Sequence, residues 1–148
     1  MAIQNELNMA FNYEPITYKD IKEGAGRPAT EKTKAVLKNA RKGERTLELA
    51  WNRTYNEGNP QKAMWFNHVL IYPENVLPTV AGDHGGLWDY EEQSQVSDKS
   101  IANASSFPQD YQFTGGSVPY ICGMSVPPLM IKRVVGRLLE QGVLNAKR

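Results

Sequence analysis

The end of the chain carries the clearest pattern of apolar and polar positions. Apolar residues recur three or four positions apart, at Ile131, Val134, Val135, Leu138 and Leu139. Charged residues occupy positions opposite them, at Lys132, Arg133, Arg137 and Glu140. Because a helix brings such spacings onto one face, the pattern predicts an amphipathic helix. Pro128 suits its first turn, and Gly142 suits its end.

Three shorter helices are predicted upstream from apolar spacing and capping residues. Thr30 is placed to cap a helix from Glu31 to Arg41, and a second helix is expected to start near Thr46. A third is predicted from Val96 to Ser106, with Ser97 or Asp98 as its cap. The helices are separated by segments rich in glycine and proline, which favour turns.

The remaining apolar runs favour extended structure. Met64 to Tyr72 is rich in β-branched and aromatic residues on both faces, which predicts a buried strand. Shorter extended pieces are expected within Ala2–Phe11, Tyr13–Ile21 and Pro78–Val80. Together these elements predict an α+β fold, in which a small mixed sheet with several helices is followed by the C-terminal amphipathic helix.

Composition narrows the class of protein. The 148 residues include 17 basic and 16 acidic side chains, so no overall field demands a polyanionic partner. Cys122 is the only cysteine, which excludes an internal disulfide and favours a reducing compartment. The first residues do not read as a signal peptide, and no run approaches the ~20 apolar residues of a membrane span. We therefore expect a soluble, cytoplasmic protein.

The histidines raise two further chemistries. His68 and His84 are far apart in the sequence and lack a paired ligand spacing, so no metal site is expected. Asp83 and His84 leave a small stand-alone hydrolase as one alternative, although no Gly-x-Ser-x-Gly motif accompanies them. An exposed turn is the simpler interpretation of this glycine-rich stretch.

Two motifs precede the last helix in a fixed order. Residues 107–113 read Phe-Pro-Gln-Asp-Tyr-Gln-Phe, and residues 123–128 read Gly-Met-Ser-Val-Pro-Pro, with a glycine-containing loop at Thr114–Ser117 between them. This order resembles the carboxyl-terminal end of the DNA (cytosine-5) methyltransferases, where RLQxFPxxYxF is followed by GNxVPP and a closing helix. The resemblance is specific from Phe107 to Leu139 and loose over the rest of the chain.

The resemblance implies that the chain is the target-recognition and closing part of such an enzyme. The chain's departures from the family pattern indicate a divergent, phage-like branch of the family, or a decaying one. Residues 1–95 then form a target-recognition-like region, and residues 96–148 hold the closing motifs and the last helix. By position, Met124 and Ser125 line the pocket for the methionine part of S-adenosylmethionine in the complete enzyme. The implied partners are double-stranded DNA and a catalytic methyltransferase domain or subunit.

Basic residues in the first third of the chain are the predicted DNA contacts. Arg27 and Arg45, which flank the first predicted helix, are the preferred ones. Lys38, Arg41 and Lys42 lie near the end of that helix and complete the set. For any single lysine among them, a solvated helix face is the simpler interpretation.

The sequence also departs from the family pattern. Met124 stands where the family has asparagine, and Lys99-Ser100 and Asn103-Ala104-Ser105 replace its Arg-Glu and Arg-Leu-Gln. Glu74-Asn75-Val76 matches a catalytic tripeptide of the family, but its place directly after a predicted strand favours a turn. Cys122 follows isoleucine, whereas the family's nucleophile follows proline, so we expect a small buried hydrophobe.

No catalytic residue is therefore assigned, and these 148 residues alone are predicted to be inactive. An alternative from another class is a non-catalytic interaction protein. In that case a second copy of the chain binds through the C-terminal helix. An exposed apolar stripe of that width is unfavourable, so it implies either a partner chain or packing of the helix against this chain itself.

Overall fold

The computed structural model describes residues 7–56, 65, 67–81 and 86–144. Its helices are α1 (Tyr18–Ile21), α2 (Glu31–Lys38), α3 (Glu48–Tyr55), α4 (Asp98–Ala104), α5 (Val118–Met124) and α6 (Pro128–Glu140). Its strands are β1 (Val69–Ile71), β2 (Leu87–Asp89) and β3 (Ser94–Gln95). The predicted α+β class is confirmed.

The strands form one mixed sheet with β2 in the centre. β1 pairs with β2 in parallel, and β2 pairs with β3 antiparallel. Trp88 is the central residue, opposite Leu70 on one side and Gln95 on the other. Single bridges from Thr46 to β1 and from Pro28 to β3 widen the sheet at both edges.

Each face of the sheet covers a separate hydrophobic cluster. Leu70 belongs to the first cluster, which the helices α2 and α3 complete with Val36, Leu37, Leu47 and Ala50. Ile71, the next residue, belongs to the second cluster together with Tyr18, Val96, Ile101 and Cys122. Successive strand residues point to opposite faces, so β1 is buried on both sides.

The predicted helix starts are confirmed where a capping residue marks them. The Thr30 hydroxyl accepts a hydrogen bond from the Thr33 amide at 3.3 Å, and α2 begins at Glu31 as expected. Ser97 caps α4 in the same way, at 3.1 Å from the Ser100 amide. Helix α6 begins at Pro128, also as predicted. Helix ends were predicted less well, since α2 stops at Lys38 and not at Arg41.

Several predicted extended segments are wrong or shorter than expected. Residues 18–21 form α1, because the Thr17 amide and hydroxyl both donate to the Asp20 carboxylate, at 2.9 and 2.6 Å. The predicted strand from 64 to 72 is reduced to β1, with 64 and 66 outside the described residues. Residues 78–80 form no strand, and residues 7–11 form none either. Residues 2–6 are not described.

An aromatic stack covers one side of the first cluster. Trp51, Trp65 and His68 follow one another with ring centroids 4.9 and 4.4 Å apart. The Trp88 indole then donates to His68 Nδ1 at 2.9 Å. This bond requires an unprotonated Nδ1, and burial lowers the pKa of His68.

His68 should make the protein less stable in mild acid. Its folded-state pKa is depressed, so the unfolded chain binds more protons and stability falls as pH drops below about 6.5. Urea unfolding at pH 7.5 and pH 6.0 measures this loss. The matched variant is His68→Asn, which keeps an acceptor but does not titrate. An equal pH dependence in both proteins would contradict the prediction.

Candidate functional site

Four of the predicted DNA contacts lie together in one exposed segment. Lys38 ends α2, and Arg41, Lys42 and Arg45 follow it in the connection to α3; all four side chains are exposed. We call residues 38–45 the basic turn. Among the described residues, none of these four enters an ion pair. Their charges are therefore available to a phosphate backbone.

Two partly buried side chains, Tyr72 and Arg53, hold the basic turn in place through hydrogen bonds. The Tyr72 hydroxyl accepts from the Gly43 amide at 3.0 Å and donates toward the Glu44 carbonyl at 2.8 Å. The Arg53 guanidinium donates to the Asn39 carbonyl and to the Glu44 carboxylate, both at 2.7 Å. Because Arg53 neutralises the only acid of the turn, the outer side chains carry uniform positive charge.

Arg27 lies apart from the basic turn, on the β3 edge of the sheet. Its carbonyl accepts from the Gln95 amide at 3.0 Å, and Pro28 forms a bridge with Ser94. A side chain at Gly26 would meet the Gln95 carbonyl oxygen at 1.4 Å, so only glycine allows this approach. The segment therefore acts as a short extra strand that fixes the position of Arg27.

The closing residues are placed differently from the prediction. Residues 118–124 form α5, a helix that was not predicted, with Ser117 as its cap. Met124 is the last residue of α5 and is 70% exposed, and the Ser125 hydroxyl donates to the Cys122 carbonyl at 3.0 Å. Both therefore lie at the open junction between α5 and α6. They could supply one wall of a ligand site but do not enclose one.

Cys122 is confirmed as a small buried residue. It lies in α5, not in a loop, and is 4% exposed within the second cluster. Burial raises the pKa of its thiol, which keeps the sulfur protonated. A nucleophilic role for this cysteine is thus disfavoured by its surroundings.

The Phe-Pro-x-x-Tyr-x-Phe motif forms a compact aromatic cluster. The rings of Phe107, Tyr111 and Phe113 contact one another with centroids 4.9 to 5.2 Å apart, in tilted and edge-on arrangements. The Tyr111 amide also donates to the Pro108 carbonyl at 3.0 Å. The spacing of the three aromatic residues in the motif thus allows their rings to contact one another in the turn that follows α4.

Three residues of α4 at positions that differ from the methyltransferase pattern, Lys99, Ser100 and Asn103, bind α4 to the segment at the end of α1. The Lys99 ammonium pairs with Glu23 at 3.0 Å, and the Asn103 amide donates to the Ile21 carbonyl at 3.1 Å. The Ser100 hydroxyl donates to the Glu23 carbonyl at 3.2 Å. The replacement residues are therefore used structurally.

Glu74-Asn75 lies in a turn directly after β1, as predicted. The Asn75 and Pro73 carbonyls accept from the first amides of α1, at 2.8 and 3.0 Å. Glu74 pairs with Lys19 at 2.6 Å on the surface. The turn thus serves as the support for α1.

An Asp89 network lies at the end of β2 and was missed by sequence reasoning. Asp89 is 1% exposed, and its carboxylate pairs with Lys22 at 2.8 Å and accepts from the Tyr18 hydroxyl at 3.0 Å. The amides of Glu91 and Glu92 donate to its other oxygen at 2.9 and 3.0 Å. Burial alone would raise the pKa of Asp89, but these partners bring it below its ordinary value.

The apolar face of α6 is incompletely covered. The helix is described in full and none of its residues is buried; Ile131, Val135 and Leu139 are 39% to 47% exposed. Residues 7–16 contact the helix, with the Arg133 guanidinium 3.8 Å from the Tyr13 ring centroid and the Gln141 amide donating to the Asn8 carbonyl at 2.8 Å. These contacts leave much of the apolar stripe accessible.

Other chemistries find little support in the described part of the chain. No group of three His, Cys, Asp or Glu side chains there is arranged to hold a metal ion. Asp83 and His84, the basis of the hydrolase alternative, lie outside the described residues. The helices of the described residues are too short or too polar for a membrane span.

Comparison with known proteins finds a distant relative. No protein-family model matches the chain, and no solved structure matches it. The chain is 28% identical, over 102 residues, to a protein of Methanocaldococcus jannaschii described as "Putative type II methyltransferase". The match covers 68% of this chain and 33% of that protein, so the chain spans about a third of its relative. The chain is thus distantly related to a protein described as a methyltransferase.

Proposed function

We propose that this chain is the DNA-binding target-recognition part of an S-adenosylmethionine-dependent DNA cytosine-5 methyltransferase. The observation that carries the proposal is the order of elements from Phe107 onward: an aromatic turn, the α5–α6 junction and a closing amphipathic helix. The distant methyltransferase relative supports the same reading. These 148 residues contain no Pro-Cys nucleophile, so in this proposal a catalytic methyltransferase domain or subunit carries out the reaction.

In this proposal the basic turn and Arg27 contact double-stranded DNA. Phosphate contacts position a protein on DNA and make binding strongly dependent on salt. The anchored backbone of the turn favours this role, because pre-ordered side chains lose less entropy on binding. The catalytic partner would act on a cytosine turned out of the duplex while this chain holds the flanking DNA.

The α6 face is the proposed contact with the catalytic domain or subunit. Its exposed apolar stripe would be buried there, and the adjoining Met124 and Ser125 would form one wall of the cofactor site. Because these two residues lie at an open junction, we expect this chain alone not to bind S-adenosylmethionine tightly. The cofactor supplies the methyl group when bound; this chain contributes only the wall.

The basic turn gives a direct prediction for DNA binding. Arg41→Gln with Lys42→Gln should weaken binding to duplex DNA of any sequence and flatten the plot of log affinity against log salt by about 0.9 for each lost phosphate contact. Fluorescence anisotropy over a salt series measures both effects. Lys19→Gln with Lys34→Gln removes the same charge elsewhere on the surface. Equal losses in both double variants would count against the basic turn.

The test of the whole proposal is complementation. The chain is mixed with the amino-terminal part of a similar methyltransferase, and transfer of labelled methyl groups from S-adenosylmethionine to duplex DNA is followed. We expect transfer only in the mixture. Association without transfer would indicate an inactive copy, and no association together with no DNA binding would overturn the proposal.

The exposed α6 face also supports a second candidate, a non-catalytic interaction protein. A second copy of the chain could cover Ile131, Val135 and Leu139 symmetrically, which is the usual arrangement in homodimers. Sedimentation equilibrium over a range of concentrations tests this. Dimerisation that Val135→Lys abolishes, without any retention of DNA, would favour this candidate over the first.

A further inference from the structure

A cavity of about 520 Å³ lies beside Arg27, between β3, the start of α4 and the start of α5. Buried Val96 and Ile101 form part of its floor, and Leu87 continues it. Arg27 and Asp98 stand at its exposed rim, and the half-exposed Tyr120 ring contributes a wall. An apolar base with a few polar groups at the rim, at this volume, is typical of small-ligand sites.

The two charged rim residues are not neutralised within the described part of the chain. Neither Arg27 nor Asp98 enters an ion pair there. A guanidinium offers two parallel N–H donors, and a carboxylate offers two acceptors. One ligand in the cavity could therefore receive two N–H donors from Arg27 and two acceptor oxygens from Asp98.

The supporting framework fixes these groups. Arg27 is held by the Gln95 amide and by the Pro28–Ser94 bridge, so its backbone moves with β3. Asp98 follows Ser97, whose hydroxyl donates to the Glu23 carbonyl and accepts from the Ser100 amide. Tyr120 lies in the first turn of α5, which Ser117 caps. Each rim side chain is thus carried by an ordered segment.

We propose that this cavity takes up a single unpaired guanine of DNA. Guanine presents O6 and N7 as adjacent acceptors for an arginine fork, and N1–H and N2–H as adjacent donors for a carboxylate. Adenine and thymine lack both pairs, and cytosine lacks the adjacent N–H donors. The ring would stack on Tyr120, as bases stack on aromatic side chains of single-strand binders. Since N1 and N2 are occupied in a base pair, the guanine must be unpaired.

This inference rests on the proposed function, because it assigns a nucleobase to the region that binds DNA. The test nevertheless uses the chain alone. The ¹⁵N-labelled protein is titrated with dGMP and, separately, with dAMP, and amide shifts are followed by NMR. Both nucleotides carry the same phosphate, so their difference reports on the base. We expect saturable shifts around Gln95, Asp98 and Tyr120, with dGMP binding about tenfold tighter or more.

Two variants test the assigned contacts. Asp98→Asn should remove most of the preference for dGMP over dAMP, and Arg27→Gln should weaken dGMP binding about tenfold. Asp110→Asn and Lys19→Gln make the same charge changes on exposed residues outside the cavity and should leave both affinities unaltered. Unchanged spectra elsewhere in each variant exclude unfolding as the cause.

The outcomes separate this inference from the proposed function. Equal affinity for dGMP and dAMP, or shifts confined to the basic turn, would overturn the guanine site while duplex binding and complementation could still succeed. A dGMP preference that needs Asp98 supports the site even if complementation fails.

Discussion

Asp89→Ala is expected to lower the free energy of unfolding by about 3–5 kcal/mol, the usual range for removing one partner of a buried ion pair. The substitution leaves the amides of Glu91 and Glu92 and the Tyr18 hydroxyl without their acceptor. It also leaves the Lys22 ammonium partly buried, with Glu92 at 2.6 Å as its one remaining acidic partner among the described residues. A protein of this size should then melt roughly 10 °C lower.

Urea unfolding at pH 7 measures the effect of Asp89→Ala. Asp110→Ala, on an exposed turn, is the matched control and should change stability by no more than about 0.5 kcal/mol. Asp89→Asn keeps the shape and one acceptor oxygen and should therefore cost less than alanine. If Asp89→Ala costs no more than Asp110→Ala, the network does not stabilise the fold.

The Asp89 network also sets a pH limit on stability. Its carboxyl has a folded-state pKa below the ordinary value of about 3.9, so its contribution is fully present above that pH. As pH falls through the folded-state pKa, the carboxyl is protonated and the contribution is lost. Asp89→Asn should consequently lose less stability than the wild-type protein between pH 5 and pH 2, since position 89 no longer titrates.

Elements with local signals could be predicted from the sequence. The cap at Thr30, the cap at Ser97 and the apolar period of α6 each lie within a few residues of the element that they define. The capping box at Thr17 and Asp20 was an equally local signal for α1, but residues 13–21 were interpreted as an extended segment. Such a signal could have been found with the same rules.

Short strands could not be predicted, because they are defined by their pairing with other strands and not by a pattern of their own. β2 has three residues and β3 has two, and neither has room for a periodic pattern. Trp88 belongs to a strand because Leu70 and Gln95 lie opposite it. Helix α5 was missed for another reason, since its glycine and the motif around it favoured a loop.

The same distinction applies to the candidate site. The basic turn could be predicted as a charged segment, but its anchors, Tyr72 and Arg53, come from β1's end and from α3. The Asp89 network joins residues 18, 22, 89 and 92, which no linear motif connects. The DNA contacts themselves stay predictions. Packing across the sheet, not local sequence, decides which charges are exposed and which are enclosed.

Gly26→Ala is expected to destabilise the protein and to displace Arg27 together with it. A methyl group at this position would lie 1.4 Å from the Gln95 carbonyl oxygen and 2.6 Å from its carbonyl carbon. Backbone atoms cannot be moved aside as a flexible side chain can, so residues 26–28 must leave β3. The bond from the Gln95 amide to the Arg27 carbonyl and the Pro28–Ser94 bridge would break.

The expected cost of Gly26→Ala is about 1–3 kcal/mol, the range for forced overpacking, with reduced protection of the Gln95 amide in hydrogen exchange. Gly136→Ala is the matched control: it lies inside α6 with no atom within 4 Å of the new methyl group. There alanine should stabilise by about 0.5–1 kcal/mol, since glycine is unfavourable in a helix. If Gly→Ala lowers the free energy of unfolding at position 26 and raises it at position 136, glycine is required at position 26 because of its close approach to β3. If Arg27 binds guanine from that strand, Gly26→Ala should also abolish the preference for dGMP, whereas Gly136→Ala should preserve it.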